Sequence, residues 1–265
     1  MRTYGVTVVA FCNSAQMIEG AKAAARESGL TDRCQFVHSD LSILAQLADA
    51  GKEPFDAITS IGVFEHVHEY EYKMVFDALK TLLKADGNLL LHMMCSPVKP
   101  NQPDPWIQMY IFPNSHQNLL SNLAHELEIR DLAIIDVEDI AKHYTYTLDC
   151  WWRNLKVHFD ANPGRYTTSY MKMMEYYLLS LKAVSAHGFG TLQHILVSLD
   201  SQSTCLCIPL SLPHALATFI FMSYSFGLCC LTYDIHYSIS SAVRAKFQYY
   251  TTELSLDLGV RFPAY

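Results

Sequence analysis

Segments typical of β-strands and of helices alternate along this chain from Tyr4 to residue 138, and this alternation restricts the fold more than any other feature. Such an order predicts strand–helix–strand units whose strands pair in a mainly parallel sheet. The clearest unit joins a strand over residues 55–63 to a helix over 69–84 and a strand over 88–94. The sequence therefore predicts an α/β fold. Further strands are predicted over residues 4–11, 34–38, 129–137 and 192–197, a helix from Ser14 to Gly29, and an irregular covering loop over 97–113.

An apolar run that begins at Ile58 stops abruptly at Glu65 and His66. The carboxyl ends of parallel strands face the crevice in which α/β proteins bind ligands, so both side chains are predicted to lie in a functional site. A carboxylate at such a position equally fits a helix cap or a surface ion pair, and His66 fits a structural role.

Composition excludes several classes of function. The 265 residues carry a net charge of −7 with only 19 Lys and Arg, which argues against a nucleic-acid groove. The eight cysteines form no CxxC pair, so neither a zinc site nor a secreted disulfide framework is indicated. The N-terminus does not have the pattern of a signal peptide. We therefore expect reduced thiols, no metal and a cytoplasmic location, with membrane association left open.

The composition changes near Leu199 and divides the chain into a domain over residues 1–198 and an apolar extension over 199–265. No Asp, Glu, Lys or Arg lies between Asp200 and Asp234, and residues 205–233 are long enough to cross a bilayer. Prolines and serines within that segment weaken this interpretation. A membrane-associating segment, a buried helix and translated non-coding sequence all stay open. We expect removal of residues 199–265 to improve solubility.

Five blocks of residues occur in an order typical of one enzyme family: Phe64-Glu65-His66-Val67, Leu89-Leu90-Leu91-His92, Tyr110-Ile111-Phe112-Pro113, His143-Tyr144 with Thr147-Leu148 and Trp151, and Tyr176-Tyr177-Leu178. The chain resembles the cyclopropane-fatty-acid synthase family of S-adenosylmethionine-dependent methyltransferases over residues 4–198. The resemblance implies a Rossmann-like class I methyltransferase sheet with a helical aromatic insertion that lines an acyl cavity.

The resemblance implies methyl transfer to the double bond of an unsaturated phospholipid or other acyl lipid, with closure of a cyclopropane and peripheral membrane contact. In the family a bound bicarbonate is the base, and the residues that match its ligands are Glu65, His92 and Tyr144, with the backbone around Met94. A base beside a cation in a dry cavity needs such buried partners. His92 alone would be interpreted as a core histidine, and Tyr144 as a packed aromatic residue.

Other candidate residues carry less weight. The resemblance implies that Ser14 and Gln16 contact the ribose, although Cys12 stands where the family commonly has threonine. Asp40 follows a strand and could reach the adenine, but it equally fits a helix cap. Aromatic side chains are expected to line the acyl cavity, and their ring faces to stabilise the positive charge of the sulfonium or the carbocation. The aromatic candidates are Tyr110, Phe112 and Tyr177.

The chain departs from the family at its start, where the first strand and its glycine-rich cofactor loop are absent from the sequence. That loop also supplies a cysteine to the family's anion site. We therefore expect an N-terminally incomplete domain and weak or no S-adenosylmethionine binding. The strands beside the missing one are expected either to have unpaired edges or to pair directly with each other. His68 also stands where the family usually has glycine. Two alternatives stay open: a lipid C-methyltransferase that leaves a methyl branch on a fatty acid or sphingolipid, and an inactive lipid-binding remnant.

Overall fold

The structure, a computed structural model, describes residues 5–97 and 104–199, together with the backbone of residues 219–222. A seven-stranded sheet forms its centre, with the strands in the order β2-β1-β7-β3-β4-β6-β5. Every pairing is parallel except those of β6, which runs antiparallel to β4 and β5. The predicted α/β sheet is confirmed. Its strands are β1 Val8–Cys12, β2 Cys34–His38, β3 Phe55–Ile61, β4 Leu83–Cys95, β5 Ala133–Asp139, β6 Thr191–Ser198 and β7 Phe219–Met222.

Seven helices accompany the sheet in the described part of the chain. The first begins where the sequence predicts, because the Ser14 hydroxyl accepts a 3.3 Å hydrogen bond from the backbone N–H of Met17 and so caps the helix. The helices are α1 Ala15–Glu27, α2 Ser42–Asp49, α3 Tyr72–Leu82, α4 Pro105–Tyr110, α5 Leu120–Glu128, α6 Ala141–Ala161 and α7 Thr168–His187.

The covering loop predicted over residues 97–113 is partly wrong, because it contains the short helix α4. Asp104 caps this helix by accepting hydrogen bonds from the backbone N–H groups of Trp106 and Ile107. Pro105 occupies the first helical position, where a missing N–H is tolerated. The prolines that argued against regular structure therefore include one that starts a helix.

The strand β7 corrects the expectation of a gap in the sheet. It lies between β1 and β3 and pairs in parallel with both, with Val9 opposite Ile220 and Thr59 opposite Phe221. A segment of the apolar extension thus provides the strand between β1 and β3. The rest of the predicted membrane-associating segment lies outside the described residues, and among those described no helix is long and apolar enough to span a bilayer.

Two apolar clusters determine where a site can form. The main core fills one face of the sheet, where α2, α3 and α5 pack against the central strands. A separate cluster, called here the aromatic cluster, is built by α4, α6 and α7 and the turn after α4. The predicted helical aromatic insertion is therefore present. The buried members of the aromatic cluster are Ile111, Leu148, Phe159, Met174, Tyr177 and Leu178.

Candidate functional site

The turn after β3 presents Glu65 and His66 at the carboxyl edge of the sheet. Gly62 has φ of +62°, a left-handed conformation that turns the chain away from the strand direction. Val63, Phe64 and Val67 are buried, and the Phe64 ring stacks on the Phe76 ring of α3 at 5.3 Å. Because these apolar residues anchor the turn in the core, the intervening polar residues occupy defined positions.

The two oxygens of the Glu65 carboxylate have different surroundings. Oε1 accepts a 2.7 Å hydrogen bond from the backbone N–H of Met94 on β4, whereas the buried Oε2 has no hydrogen-bond partner in the structure. Burial raises the pKa of Glu65 to about 7, against the smaller opposing effect of the Met94 N–H. A neutral Glu65 has an O–H to donate, so this carboxyl group is suited to a ligand oxygen at Oε2.

His92 lies on β4 two residues before Met94 and is buried. Burial, together with the neighbouring His194, lowers the pKa of His92 to about 3, so its imidazole is neutral near pH 7. The Nδ1 atom of His92 is 2.6 Å from Nε2 of His194 on β6. The second ring nitrogen of His92, Nε2, is therefore the atom left for a ligand.

Aromatic side chains approach this site from the aromatic cluster. The Phe112 ring lies edge-on to the His66 and Tyr177 rings, with centroid distances of 5.9 Å to each. Burial and the Glu65 charge raise the pKa of Tyr177, which places the phenol within electrostatic reach of that carboxylate. Tyr144 packs partly against the aromatic cluster and partly against a small cluster that Met94 also contacts. The structure thus links His66, next to Glu65 in the turn, to Phe112 and Tyr177 through ring contacts.

A cleft of 270 Å³ opens at the carboxyl ends of β1, β2 and β3. This is just below the range of about 300–1,000 Å³ for small-molecule sites. Asp40 lines it and accepts hydrogen bonds from the backbone N–H and the hydroxyl of Ser42, which lower the pKa of Asp40. His66 lines the cleft too, so this side chain lies between the cleft and Phe112. The cleft walls are Phe11, Cys12, Asn13, Ser39, Asp40, Leu41, Ser42, Val63, His66, Glu71 and Met74.

Three of the candidates lie away from this site. Ser14 uses its hydroxyl to cap α1, and Gln16 is an exposed residue of that helix; neither belongs to the cleft walls. Tyr110 is 53% exposed and its ring contacts Trp106, at 5.5 Å between centroids, on the outer side of the aromatic cluster. Their predicted contacts with cofactor or acyl chain stay predictions.

Sequence reasoning missed two groups, one beside Glu65 and one beside His92. Cys95 is buried on β4, and burial together with the Glu65 charge raises its pKa to about 12, which keeps it a neutral thiol. His194 is the hydrogen-bonding partner of His92. A histidine directly before the apolar run Ile195-Leu196-Val197 was the available signal for His194. Within the described ranges, no group of three His, Cys, Asp or Glu side chains is arranged to hold a metal ion.

Comparison with known proteins identifies relatives of this fold and site. The family model described as mycolic acid cyclopropane synthetase matches residues 1–195. A cyclopropane-fatty-acyl-phospholipid synthase of Escherichia coli K12 is 30% identical over 175 residues, which are 66% of this chain and 43% of the relative. A probable fatty acid methyltransferase of Mycobacterium tuberculosis is 27% identical over 198 residues, 73% of this chain and 44% of the relative. The chain thus spans less than half the length of these curated relatives.

Solved structures share the fold. The mycolic acid cyclopropane synthase CmaA1, complexed with SAH and CTAB, superposes with a TM-score of 0.64 at 20% identity, covering 74% of this chain and 71% of that one. A putative sarcosine dimethylglycine methyltransferase from Galdieria sulphuraria gives a TM-score of 0.60 at 13% identity, with coverages of 74% and 71%. The Rossmann-like class I methyltransferase fold is confirmed.

Proposed function

Because the chain belongs to the mycolic acid cyclopropane synthetase family, we propose that it transfers a methyl group from S-adenosylmethionine to the double bond of an unsaturated lipid acyl chain and forms a cyclopropane. The observation that carries the proposal is the buried, unpartnered Oε2 of Glu65. The next residue, His66, lines the cleft at the sheet edge and contacts Phe112 of the aromatic cluster. A buried polar atom without a partner in a folded protein points to a ligand.

The cleft suits the adenosine part of S-adenosylmethionine. Phe11, Leu41 and Val63 offer apolar surface to a purine, while Asn13 and Asp40 offer hydrogen-bonding groups to ribose hydroxyls. When bound, S-adenosylmethionine supplies an electrophilic methyl group on a sulfonium centre. His66 would separate the cofactor from the lipid, and its pKa is lowered by burial and by His116, so the ring adds no positive charge beside the sulfonium.

Glu65, His92 and Tyr144 are proposed to hold a small anion, bicarbonate, as the base that removes a proton from the transferred methyl. A protonated Glu65 donates its O–H to the anion rather than repelling it, which its raised pKa permits at neutral pH. The neutral ring of His92 donates from Nε2 and leaves the anion its negative charge. The surrounding apolar side chains exclude water that would quench a carbocation on the lipid.

The acyl chain is proposed to lie in the aromatic cluster, where the Phe112 and Tyr177 rings contact each other at 5.9 Å between centroids. Ring faces attract positive charge, so they would stabilise a carbocation on the lipid. Met109, Tyr110 and Tyr176 are more than half exposed at the edge of this cluster. We infer that a lipid reaches the site there, through peripheral contact with a membrane surface.

One experiment separates the possible products. The 265-residue chain is incubated with vesicles of unsaturated phospholipid and S-adenosylmethionine carrying a fully deuterated methyl, and the lipids are analysed by mass spectrometry. A cyclopropane retains two of the three deuterium atoms, because one leaves with the base. A methyl branch formed by loss of a hydrogen from the acyl chain retains all three. We expect a product that retains two deuterium atoms. Methyl transfer should be lost in Glu65→Gln and kept in Glu53→Gln, a control at an exposed residue.

The methyl branch is the second candidate, because a sphingolipid C9-methyltransferase of Candida albicans is 28% identical over 144 residues, 52% of this chain and 28% of that relative. Retention of three deuterium atoms on a sphingolipid substrate would replace the cyclopropane proposal with this one. Calorimetry adds a separate measure of S-adenosylmethionine binding. If the chain neither transfers a methyl group nor binds S-adenosylmethionine, the result supports the third alternative, an inactive lipid-binding remnant.

A further inference from the structure

His92 and His194 form a buried pair on neighbouring strands. They are directly opposite each other in the antiparallel register of β4 and β6, and each is 9% exposed. The 2.6 Å between Nδ1 of His92 and Nε2 of His194 is a hydrogen-bond distance, and one of the two nitrogens must carry the shared proton. The protonation of His194 therefore decides which nitrogen of His92 bears a hydrogen.

The surrounding charges indicate which ring is the donor. Glu138 on β5 is directly opposite His194 in the register, so the two side chains belong to the same face of the sheet. A carboxylate at that position favours a proton on His194. Burial and the neighbouring His194 both lower the pKa of His92, so the His92 ring is neutral and its Nδ1 can accept a hydrogen bond. His194 then donates from Nε2, and Nδ1 of His92 accepts.

We propose that His194 is a positioning residue, which donates to Nδ1 of His92 and holds that ring as the neutral tautomer with its hydrogen on Nε2. This inference rests on the proposed function in one respect: the N–H on Nε2 of His92 is taken to bind an anion beside Glu65. The opposite tautomer would present a lone pair to the anion and repel it. Fixing the tautomer of a catalytic histidine through its second nitrogen is a general device in enzymes.

The tautomer is measured directly by long-range ¹H–¹⁵N correlation NMR of the full chain with ¹⁵N-labelled histidine. In the unaltered chain we expect the hydrogen of His92 on Nε2. His194→Gln retains an N–H donor and should preserve that tautomer, whereas His194→Leu removes the donor and should produce a mixture. Leu196→Ala, on the same face of β6, is the matched control and should leave His92 unchanged.

A hydrogen on Nδ1 of His92 in the unaltered chain would overturn the proposal, as would a His92 signal that is identical in His194→Leu. If His194→Leu does not fold, the unaltered chain and His194→Gln still decide the question. The measurement needs neither cofactor nor lipid, so it is independent of whether the chain transfers methyl groups. In an active preparation, turnover should fall about 10- to 100-fold in His194→Leu and recover in His194→Gln.

Discussion

Oε1 of Glu65 accepts its 2.7 Å hydrogen bond from the backbone N–H of Met94, and this contact joins the turn after β3 to the neighbouring strand β4. The contact fixes the carboxyl group but uses only one of its oxygens. Because Oε2 is buried without a partner, the charged form of Glu65 is poorly stabilised. The same arrangement that readies Glu65 for a ligand therefore reduces the stability of the empty protein at neutral pH.

The first prediction concerns the pH dependence of stability. Glu65 has a pKa of about 7 in the folded chain against 4.5 for the ordinary group, so the folded state binds the extra proton. Its contribution to the free energy of unfolding is fully present below pH 4.5 and is lost as the pH rises through about 7. Glu65→Gln removes this dependence. The free energy of unfolding of Glu65→Gln, relative to that of the unaltered chain, should therefore rise by up to about 3 kcal/mol as the pH increases from 4.5 to above 7.

Urea unfolding at several pH values between 4 and 8 measures this difference. The burial of His92 acts in the opposite direction below its ordinary pKa, but it is common to both chains and cancels in the comparison. Glu53→Gln, at an exposed position, is the control. A flat difference for Glu65→Gln would show that this carboxyl titrates normally.

The second prediction concerns β7. Sequence composition predicts that removing residues 199–265 improves solubility, but the position of β7 between β1 and β3 predicts the reverse. Ile220→Pro should lower the free energy of unfolding by about 3 kcal/mol, because proline removes an N–H from a central strand. Ile220→Val keeps the N–H and is the control. Thermal unfolding of both variants is the measurement, and equal midpoints would mean that this strand contributes nothing to stability.

The third prediction compares two glycines. A Cβ at Gly87 would lie 2.9 Å from the carbonyl oxygen of Lys84 and 3.0 Å from that of Asp56, and backbone cannot easily move aside. Gly87→Ala should therefore destabilise the chain by about 1–3 kcal/mol. Gly20 lies on helix α1 with open space around it, so Gly20→Ala should stabilise by about 0.5–1 kcal/mol. Opposite signs in denaturant unfolding are the expected result, and a neutral Gly87→Ala would contradict it.

The fourth prediction concerns a buried hydrogen bond near the site. The hydroxyl of Tyr72 on α3 donates to Oδ1 of Asn118, whose backbone oxygen accepts from the N–H of Ser96 just after β4. Tyr72→Phe leaves the buried amide oxygen without this donor and should lower the free energy of unfolding by about 1–3 kcal/mol. Tyr70→Phe, at a residue that is 80% exposed, is the control and should change nothing measurable. Equal decreases in the free energy of unfolding of the two variants would show that the buried hydrogen bond contributes no more to stability than an exposed hydroxyl.

Local signals account for the elements that the sequence predicted well. The strand Cys34–His38 has the predicted bounds, and the Ser14 cap sets the start of α1. The position of Glu65 at the carboxyl edge follows from the end of an apolar strand, which is also a local pattern. Helix α4 was missed because a Pro-rich composition outweighed the start signal at Asp104-Pro105.

Long-range pairing accounts for what the sequence did not reveal. The segment that forms β7 lies in an apolar stretch whose length suggested a membrane, and nothing local indicates that it pairs with β1 and β3. The contact between His92 and His194 likewise depends on the register of two antiparallel strands. A one-residue shift would move the two rings to opposite faces, so periodicity alone could not identify the pair.

The place of β7 has a consequence for how the protein is made. Val9 and Ile220, which pair in the centre of the sheet, leave the ribosome at widely separated times. Until the later segment emerges, β1 and β3 present open edges that can pair with other nascent chains. Contacts between such distant parts of a sequence also form slowly, because a long loop must close first. The yield of folded chain should therefore depend strongly on translation rate and on chaperones that cover strand edges during synthesis.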